Sequence, residues 1–238
     1  MAKRALDLAL AALALVAVTP ILAFAAAGIR LASPGPVLYR ASRVGCRGRP
    51  FTMFKLRTMH VEQNGGNGST NAKLAGSAIT AKDDPRVFRL GALLRRAKVD
   101  ELPQLLNVLR GDMSIVGPRP EDPRLVAHHY APPHHATLEV RPGLTSPGSV
   151  WYYTSAEGQL TSDDPERQYV ERVLPMKLAL DLVYVRRVSW RYDLALIGRT
   201  IRVMAALALG RRDFAEPPEM PAARQLLVPS LAGLLEER

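Results

Sequence analysis

An α+β fold, mainly helical, is the prediction for this 238-residue chain, and three observations carry it. An uncharged apolar run of 22 residues lies near the N-terminus, from Leu8 to Ile29. Phe51 to Met59 alternates with period two and reads as a strand, and Val37 to Arg40 reads as a shorter one. Later segments carry apolar stripes at helical spacing beneath arginine-rich faces. The expected parts are an N-terminal membrane helix–break–helix, small strand elements and amphipathic helices lying in the membrane interface. The expected division is residues 1–32, 33–212 and 213–238: a membrane-inserted segment, one main domain and a tail.

The formal net charge of +10 calls for a partner rich in negative charge, such as nucleic acid, anionic lipid or a phosphorylated substrate. The lone cysteine, Cys46, excludes an intrachain disulfide and fits a reducing compartment.

As a helix, the apolar run reaches roughly 33 Å, enough to cross a bilayer core. It is long for a signal peptide, and it has no polar face to suit a buried core helix. Lys3 and Arg4 precede it, Arg30, Arg40, Arg43, Arg47 and Arg49 follow it, and no acid occurs between Asp7 and Glu62. Basic flanks favour the cytoplasmic side, and a straight span satisfies only one of them. Pro20 removes a backbone hydrogen bond in mid-segment, and Thr19 is placed to bond back to a carbonyl. The hypothesis is a break at Thr19-Pro20 and a hairpin that enters one leaflet and returns; a straight span stays open beside it.

Ser33-Pro34-Gly35-Pro36 is a stiff turn out of that segment, and Gly45 to Pro50 is a basic turn between the two strands. Period two puts Lys55 and Arg57 on one face beside Phe51 and Met53: two solvated charges or part of a site. Gln63 to Ser77, rich in Gly, Asn and Ser, reads as a loop or lid. Asp84-Pro85 opens a helix expected to reach Ala97, with Val87, Leu90, Leu93 and Leu94 as its apolar stripe. A second helix is expected from Glu101 to Leu109, with Asp100 as N-cap and Gly111 as its end. Ser114 to Val116 is a short buried run. The histidines of His128 to His135 sit in a proline loop without metal-ligand spacing. Gln168 to Tyr184 is helical and interrupted at Pro175. Trp190 to Met204 mixes apolar groups with arginines, which suits either an interfacial helix or a core helix with a charged outer face. From Phe214 the tail is proline-rich and then weakly helical.

The chemistry centres on Asp100-Glu101-Leu102-Pro103-Gln104. An aspartate at a helix start often only caps it. Two adjacent carboxylates, however, disfavour a second negative charge unless a cation lies between them. Mg²⁺ suits that role, because it takes one or two carboxylates together with substrate phosphates. Such a site can hold a diphosphate and use one carboxylate as a nucleophile on phosphorus. Arg119, between two prolines, offers a rigid planar fork for a phosphate or a uracil-type carbonyl, with Lys55 and Arg57 completing the clamp.

The chain resembles the bacterial sugar transferase family, the monotopic phosphoglycosyl transferases in their short form. The resemblance runs from Lys3-Arg4-Ala5-Leu6-Asp7 to about Ile201. It rests on Ser33-Pro34-Gly35-Pro36-Val37, Arg43-Val44-Gly45, Phe54-Lys55-Leu56-Arg57-Thr58-Met59, the Asp100 to Gln104 stretch, Gly111-Asp112-Met113-Ser114-Ile115-Val116-Gly117-Pro118-Arg119-Pro120 and Arg141-Pro142-Gly143-Leu144-Thr145. It implies a re-entrant membrane helix and a catalytic domain on the cytoplasmic face of the bacterial inner membrane. The implied reaction moves a phospho-sugar from a nucleotide diphosphate sugar, usually UDP-linked, to polyprenyl phosphate with Mg²⁺, as in exopolysaccharide or lipopolysaccharide synthesis. By position, Asp100 would be the nucleophile that releases UMP, and Glu101, with Asp100, would hold Mg²⁺. Arg119 would bind the nucleotide end, Lys55 and Arg57 the phosphate, and Asp181 matches a recurring acid. The implied partners are those two substrates and the lipid bilayer, without nucleic acid; a homodimer is left open. Ser146-Pro147-Gly148-Ser149-Val150-Trp151 departs from the family's usual continuation, so the sugar is not named. Two other classes stand beside it. A nucleic-acid-binding protein explains the charge but not the apolar run, and a non-catalytic membrane-surface adaptor leaves Asp100 as a cap.

Overall fold

The computed structural model describes residues 2–60, 84, 86–157, 160 and 164–227. The stretch from Gln63 to Ser77 and Pro85 lie outside them. The described chain is mainly helical with a few short strands.

Helix α1, Ala2–Ala32, is one uninterrupted helix, so the expected break at Thr19-Pro20 does not appear. Proline deletes a single N–H, and the Ala- and Leu-rich flanks are strong helix formers that carry the ladder past it. Thr19 does bond back, its hydroxyl donating to the Leu15 carbonyl at 2.7 Å. Both halves of α1 pack on the same body. Ala11 lies against Ala41, Met53, Leu105, Val108 and Met113. Ala25 and Ile29 lie against Leu56, Phe88 and Leu94. Leu13, Val16, Ile21 and Phe24 are exposed between and beside these contacts.

Strands β1 (Leu38–Val44) and β2 (Pro50–Leu56) form an antiparallel hairpin with Leu38 opposite Leu56. The first is longer than its apolar run suggests, because the pairing carries Arg40 to Arg43 as an edge strand. Helix α2 spans Arg89–Arg96 and does not begin at Asp84, whose carboxylate is occupied by the backbone and guanidinium of Arg86.

Helix α3 spans Gln104–Arg110 and ends at Gly111, in the left-handed region at φ 98°. It starts three residues later than expected. Pro103 has no N–H to give to the Val99 carbonyl, which accepts from Leu102 instead, so Val99–Glu101 form a 3₁₀ turn. Asp100 is therefore not the N-cap of α3; Pro103 occupies that position.

Strand β3 (Ser114–Val116) pairs in parallel with β4 (Gly143–Thr145). Helix α4 (Pro123–His129) lies between them in sequence, followed by a 3₁₀ segment Pro132–Glu139. Helix α5 (Pro147–Trp151) is capped by Ser146 and continues into a π-helical turn, Tyr152–Ala156. Helix α6 (Pro165–Gln168) passes through a second π segment, Tyr169–Val173, into α7 (Leu174–Arg186). The sequence predicts an interruption at Pro175. The widened π turn just before it lets the helical path continue without the missing N–H. Helix α8 (Trp190–Ala208) buries Leu196 and exposes Trp190, Leu194 and Ile201, so one apolar face packs and another does not. Helix α9 (Met220–Leu227) packs on α7, with Met220 and Ala223 against Ala179, Leu180 and Val183.

Candidate active site

The turn before α3 carries two carboxyl groups in different surroundings. Lys98 precedes it in the left-handed region (φ 54°), a conformation that costs energy away from glycine. Asp100 is buried, and its Oδ1 has no hydrogen-bond partner; four residues on, Gln104 Nε2 is also buried and unpartnered. Unpaired buried polar atoms are rare in folded proteins, and here two lie one helical turn apart. Burial raises the Asp100 carboxyl above the ordinary aspartate range, and the charge of Glu101 adds to it.

Glu101 is held from several sides. Arg119 donates to its Oε2 at 3.0 Å and also to its Oε1, closing a two-point fork. Lys55 Nζ reaches Oε1 at 3.2 Å, and the Tyr153 hydroxyl lies 3.4 Å from Oε2. Burial would raise the Glu101 carboxyl, but Arg119 and Lys55 outweigh it and hold it well below the usual range. Burial lowers Lys55, against the pull of Glu101. One carboxyl is thus locked as an anion in an ion cluster, while its neighbour keeps an oxygen free.

Lys55 points here because β2 places it opposite Tyr39 on the hairpin, next to the 3₁₀ turn. Arg57, two residues on, does not join it. β2 ends at Leu56, and the Arg57 guanidinium is buried on the Pro36 carbonyl (2.6 Å), the Ser33 hydroxyl (2.8 Å) and the Ser33 carbonyl (2.7 Å). Period-two alternation fails once the strand stops, and this side chain ties the end of α1 to the hairpin.

Arg119 is fixed from behind. Asp181, on α7, accepts from the backbone N–H of Gly148 at 3.0 Å, and the nearby Ser146 hydroxyl and Arg119 N–H favour its anion. Burial pushes its carboxyl up to about 6. Gly148 is needed for this approach, since a Cβ there would lie 2.6 Å from the Lys177 carbonyl oxygen and 2.7 Å from Asp181 Oδ1. Beside it, Lys177 and Glu121 form a buried ion pair completed by the Tyr169 hydroxyl, 2.7 Å from each. Thr19 and Pro20 lie exposed in the middle of α1.

Asp100, Glu101, Lys55 and Arg119 therefore come together, Asp181 supports them from behind, and Arg57 lies elsewhere. Sequence reading missed Tyr153, which accepts from Arg119 at 2.8 Å and carries Lys98 Nζ 4.0 Å above its ring. It missed Lys98, which also pairs with Glu157 at 2.7 Å, as well as Arg95, Glu121, Tyr169 and Lys177. One signal was readable: Lys177 and Asp181 stand four apart in a helix apolar from Leu174 to Val185 but for them, where isolated charges need partners. Among the described residues no three His, Cys, Asp or Glu side chains converge as a metal cluster. His134 instead takes the Ala131 N–H on its Nδ1.

The family described as bacterial sugar transferase matches this chain over residues 1–206. The UDP-glucose:undecaprenyl-phosphate glucose-1-phosphate transferase of Caulobacter vibrioides is 40% identical over 201 residues, spanning 84% of this chain and 68% of the relative. The undecaprenyl-phosphate glucose phosphotransferase of Komagataeibacter xylinus is 37% identical over 205 residues, spanning 84% of this chain and 35% of the relative. The exopolysaccharide production protein PSS of Rhizobium leguminosarum bv. phaseoli is 36% identical over 204 residues, spanning 84% and 92%. The matched part thus ranges from about a third of a relative's length to nearly all of it. None of these relatives is named as an adaptor or a nucleic-acid-binding protein, so those two readings gain no support.

Proposed function

The chain belongs to the bacterial sugar transferase family, and on that premise we propose that it moves a sugar phosphate from a UDP-sugar to undecaprenyl phosphate at a membrane surface. The observation that carries the mechanism is the contrast between the two acids: Glu101 locked by Arg119 and Lys55, Asp100 buried with an oxygen unclaimed. An Asp100 carboxylate oxygen attacks the phosphorus that bears the sugar. The P–O bond to the UMP phosphate breaks, and UMP leaves with that electron pair. A phosphate oxygen of undecaprenyl phosphate then attacks the same phosphorus, which restores the carboxylate and leaves the sugar on a lipid diphosphate.

The remaining groups position and neutralise. Arg119 serves the nucleotide end by exchanging part of its fork on Glu101 for the donor, with the Tyr153 hydroxyl beside it. Lys55, Lys98 and Arg95 surround Asp100 with positive charge, which favours its anion and a bound diphosphate. The open Asp100 Oδ1 is a hard oxygen donor that fits Mg²⁺; Glu101 would join it by releasing Arg119 or Lys55, and the diphosphate would supply further oxygens. When bound, Mg²⁺ supplies charge neutralisation of the diphosphate.

We assign α1 to the membrane as an unbroken helix seated in one leaflet, the cytoplasmic one, without crossing to the other side. Its support is the packing of both ends of the helix on one body while exposed Leu13, Val16 and Phe24 lie between them. A straight span would put those ends on opposite faces. Exposed Trp190, Leu194 and Ile201 suit α8 to the interface.

The test uses membranes carrying the protein, a panel of radiolabelled UDP-sugars, undecaprenyl phosphate and Mg²⁺. Lipid-linked label with UMP release is expected, and Asp100→Asn should abolish both. Donor alone should label the protein covalently. An Asp100→Asn protein that kept full turnover would remove the nucleophile assignment.

A further inference from the structure

The first turn of α1 reaches into the framework of the site. Lys3 Nζ donates to the Val116 carbonyl (3.1 Å), the Tyr184 hydroxyl (3.3 Å) and Asp193 Oδ2 (2.6 Å). Arg4 donates to the carbonyls of Met113 (3.4 Å) and Leu109 (3.3 Å). Asp7, 5% exposed, accepts from the Ser114 hydroxyl at 2.9 Å on each oxygen and from the Ile115 N–H at 3.1 Å. Three side chains of one turn therefore bond all three residues of β3, the last turn of α3 and Met113 from the link between them.

Those two elements frame the acids and the arginine. Glu101 lies three residues before α3, and Arg119 lies three residues after β3. The Glu101–Arg119 fork closes only if α3 and β3 keep their spacing across the turn at Gly111 to Met113. β4 holds one edge of β3, and Asp7 with Lys3 holds the backbone on the other side. A membrane anchor alone does not require a buried carboxyl aimed at a strand, since burying a polar group is costly unless it is bonded.

We propose that Asp7 is a positioning residue of the donor site: with Lys3 and Arg4 it makes the first turn of the membrane helix the clamp that sets the spacing of Glu101 and Arg119. This rests on the transferase reading above. The membrane helix is thereby part of the donor site as well as an anchor.

The test uses the full-length protein in membranes. Asp7→Ala strands the Ser114 hydroxyl and the Ile115 N–H, whereas Asp7→Asn keeps an acceptor oxygen for them. Asp7→Ala should raise the donor KM roughly tenfold and leave the undecaprenyl phosphate KM within about twofold, because a small displacement at a bidentate clamp acts on the substrate it holds. Asp7→Asn should restore most of the donor KM. If Asp7→Ala only lowers the amount of folded protein and both KM values stay put, the role is structural and the proposal falls. If Asp7→Ala does not accumulate, Ser114→Ala decides. A donor KM raised about threefold supports the clamp, and an unchanged one overturns it. A wild-type protein that forms no lipid-linked product would sink the transferase reading itself, and the positioning role with it.

Discussion

Replacing Arg119 with lysine keeps a positive charge at the site and removes the fork. Arg119 makes two bonds to Glu101 and one to the Tyr153 hydroxyl. A single ammonium on a shorter reach keeps at most one of the three. The arginine and glutamate side chains are only 18% and 15% exposed, so solvent screens them weakly. Where the donor takes the place of Glu101 on the fork, lysine forfeits two charge-assisted bonds to it, and at about 1.5 kcal/mol each these come to roughly 3 kcal/mol. That corresponds to a fall of about a hundredfold in kcat/KM for the donor. Initial rates of UMP release from membranes, with donor varied and undecaprenyl phosphate saturating, measure it directly. The loss should appear for the donor and not for the lipid acceptor. Arg119→Lys within about threefold of wild type would refute the reasoning, because charge alone would then suffice and the planar fork would be idle.

Three further outcomes follow from the same geometry. Lys55→Met removes a cation that favours the anionic forms of both Asp100 and Glu101; both carboxyls should titrate higher, and the acid limb of the pH–rate profile should move to higher pH. An unmoved limb would show that Lys55 does not face the acids in the working enzyme. Lys177→Met leaves Glu121 buried and unpaired and should cost about 3–5 kcal/mol, read as thermal inactivation in detergent, while adding Glu121→Leu should recover much of it. Gly148→Ala drives a Cβ into the Lys177 carbonyl and the Asp181 carboxyl and should destabilise by about 1–3 kcal/mol, with the donor KM rising as the support behind Arg119 shifts.

Much of the frame was legible along the chain because its causes are local. The apolar run became α1, the alternation around Phe54 became half of a hairpin, and Gly111 ended α3 as its freedom at positive φ predicts. The acid pair and Arg119 stood out as separate candidates, the acids as a Mg²⁺ site because adjacent carboxylates need a cation and the proline-bracketed arginine as a stiff fork for substrate; their pairing with each other did not. The local rules failed where a second cause intervened. Asp100 looked like a cap, but Pro103 has no N–H to extend the ladder, so α3 begins later and one buried carboxyl oxygen, Oδ1, has no partner. Lys55 and Arg57 shared a face only while the strand lasted, and Arg57 turned away at its end.

Sequence alone therefore determined the family and the long apolar helix, and it singled out the acids as candidates, because periodicity, composition and short motifs are written between near neighbours. Tertiary structure decided which cations meet which acids, because those pairings join residues that only packing brings together. Tyr153 stands 52 positions from Glu101, and Lys3 stands 190 from Asp193. No local preference encodes such a distance; the buried charges find partners because leaving them without any in a low-dielectric interior costs more than ordering the chain that supplies them.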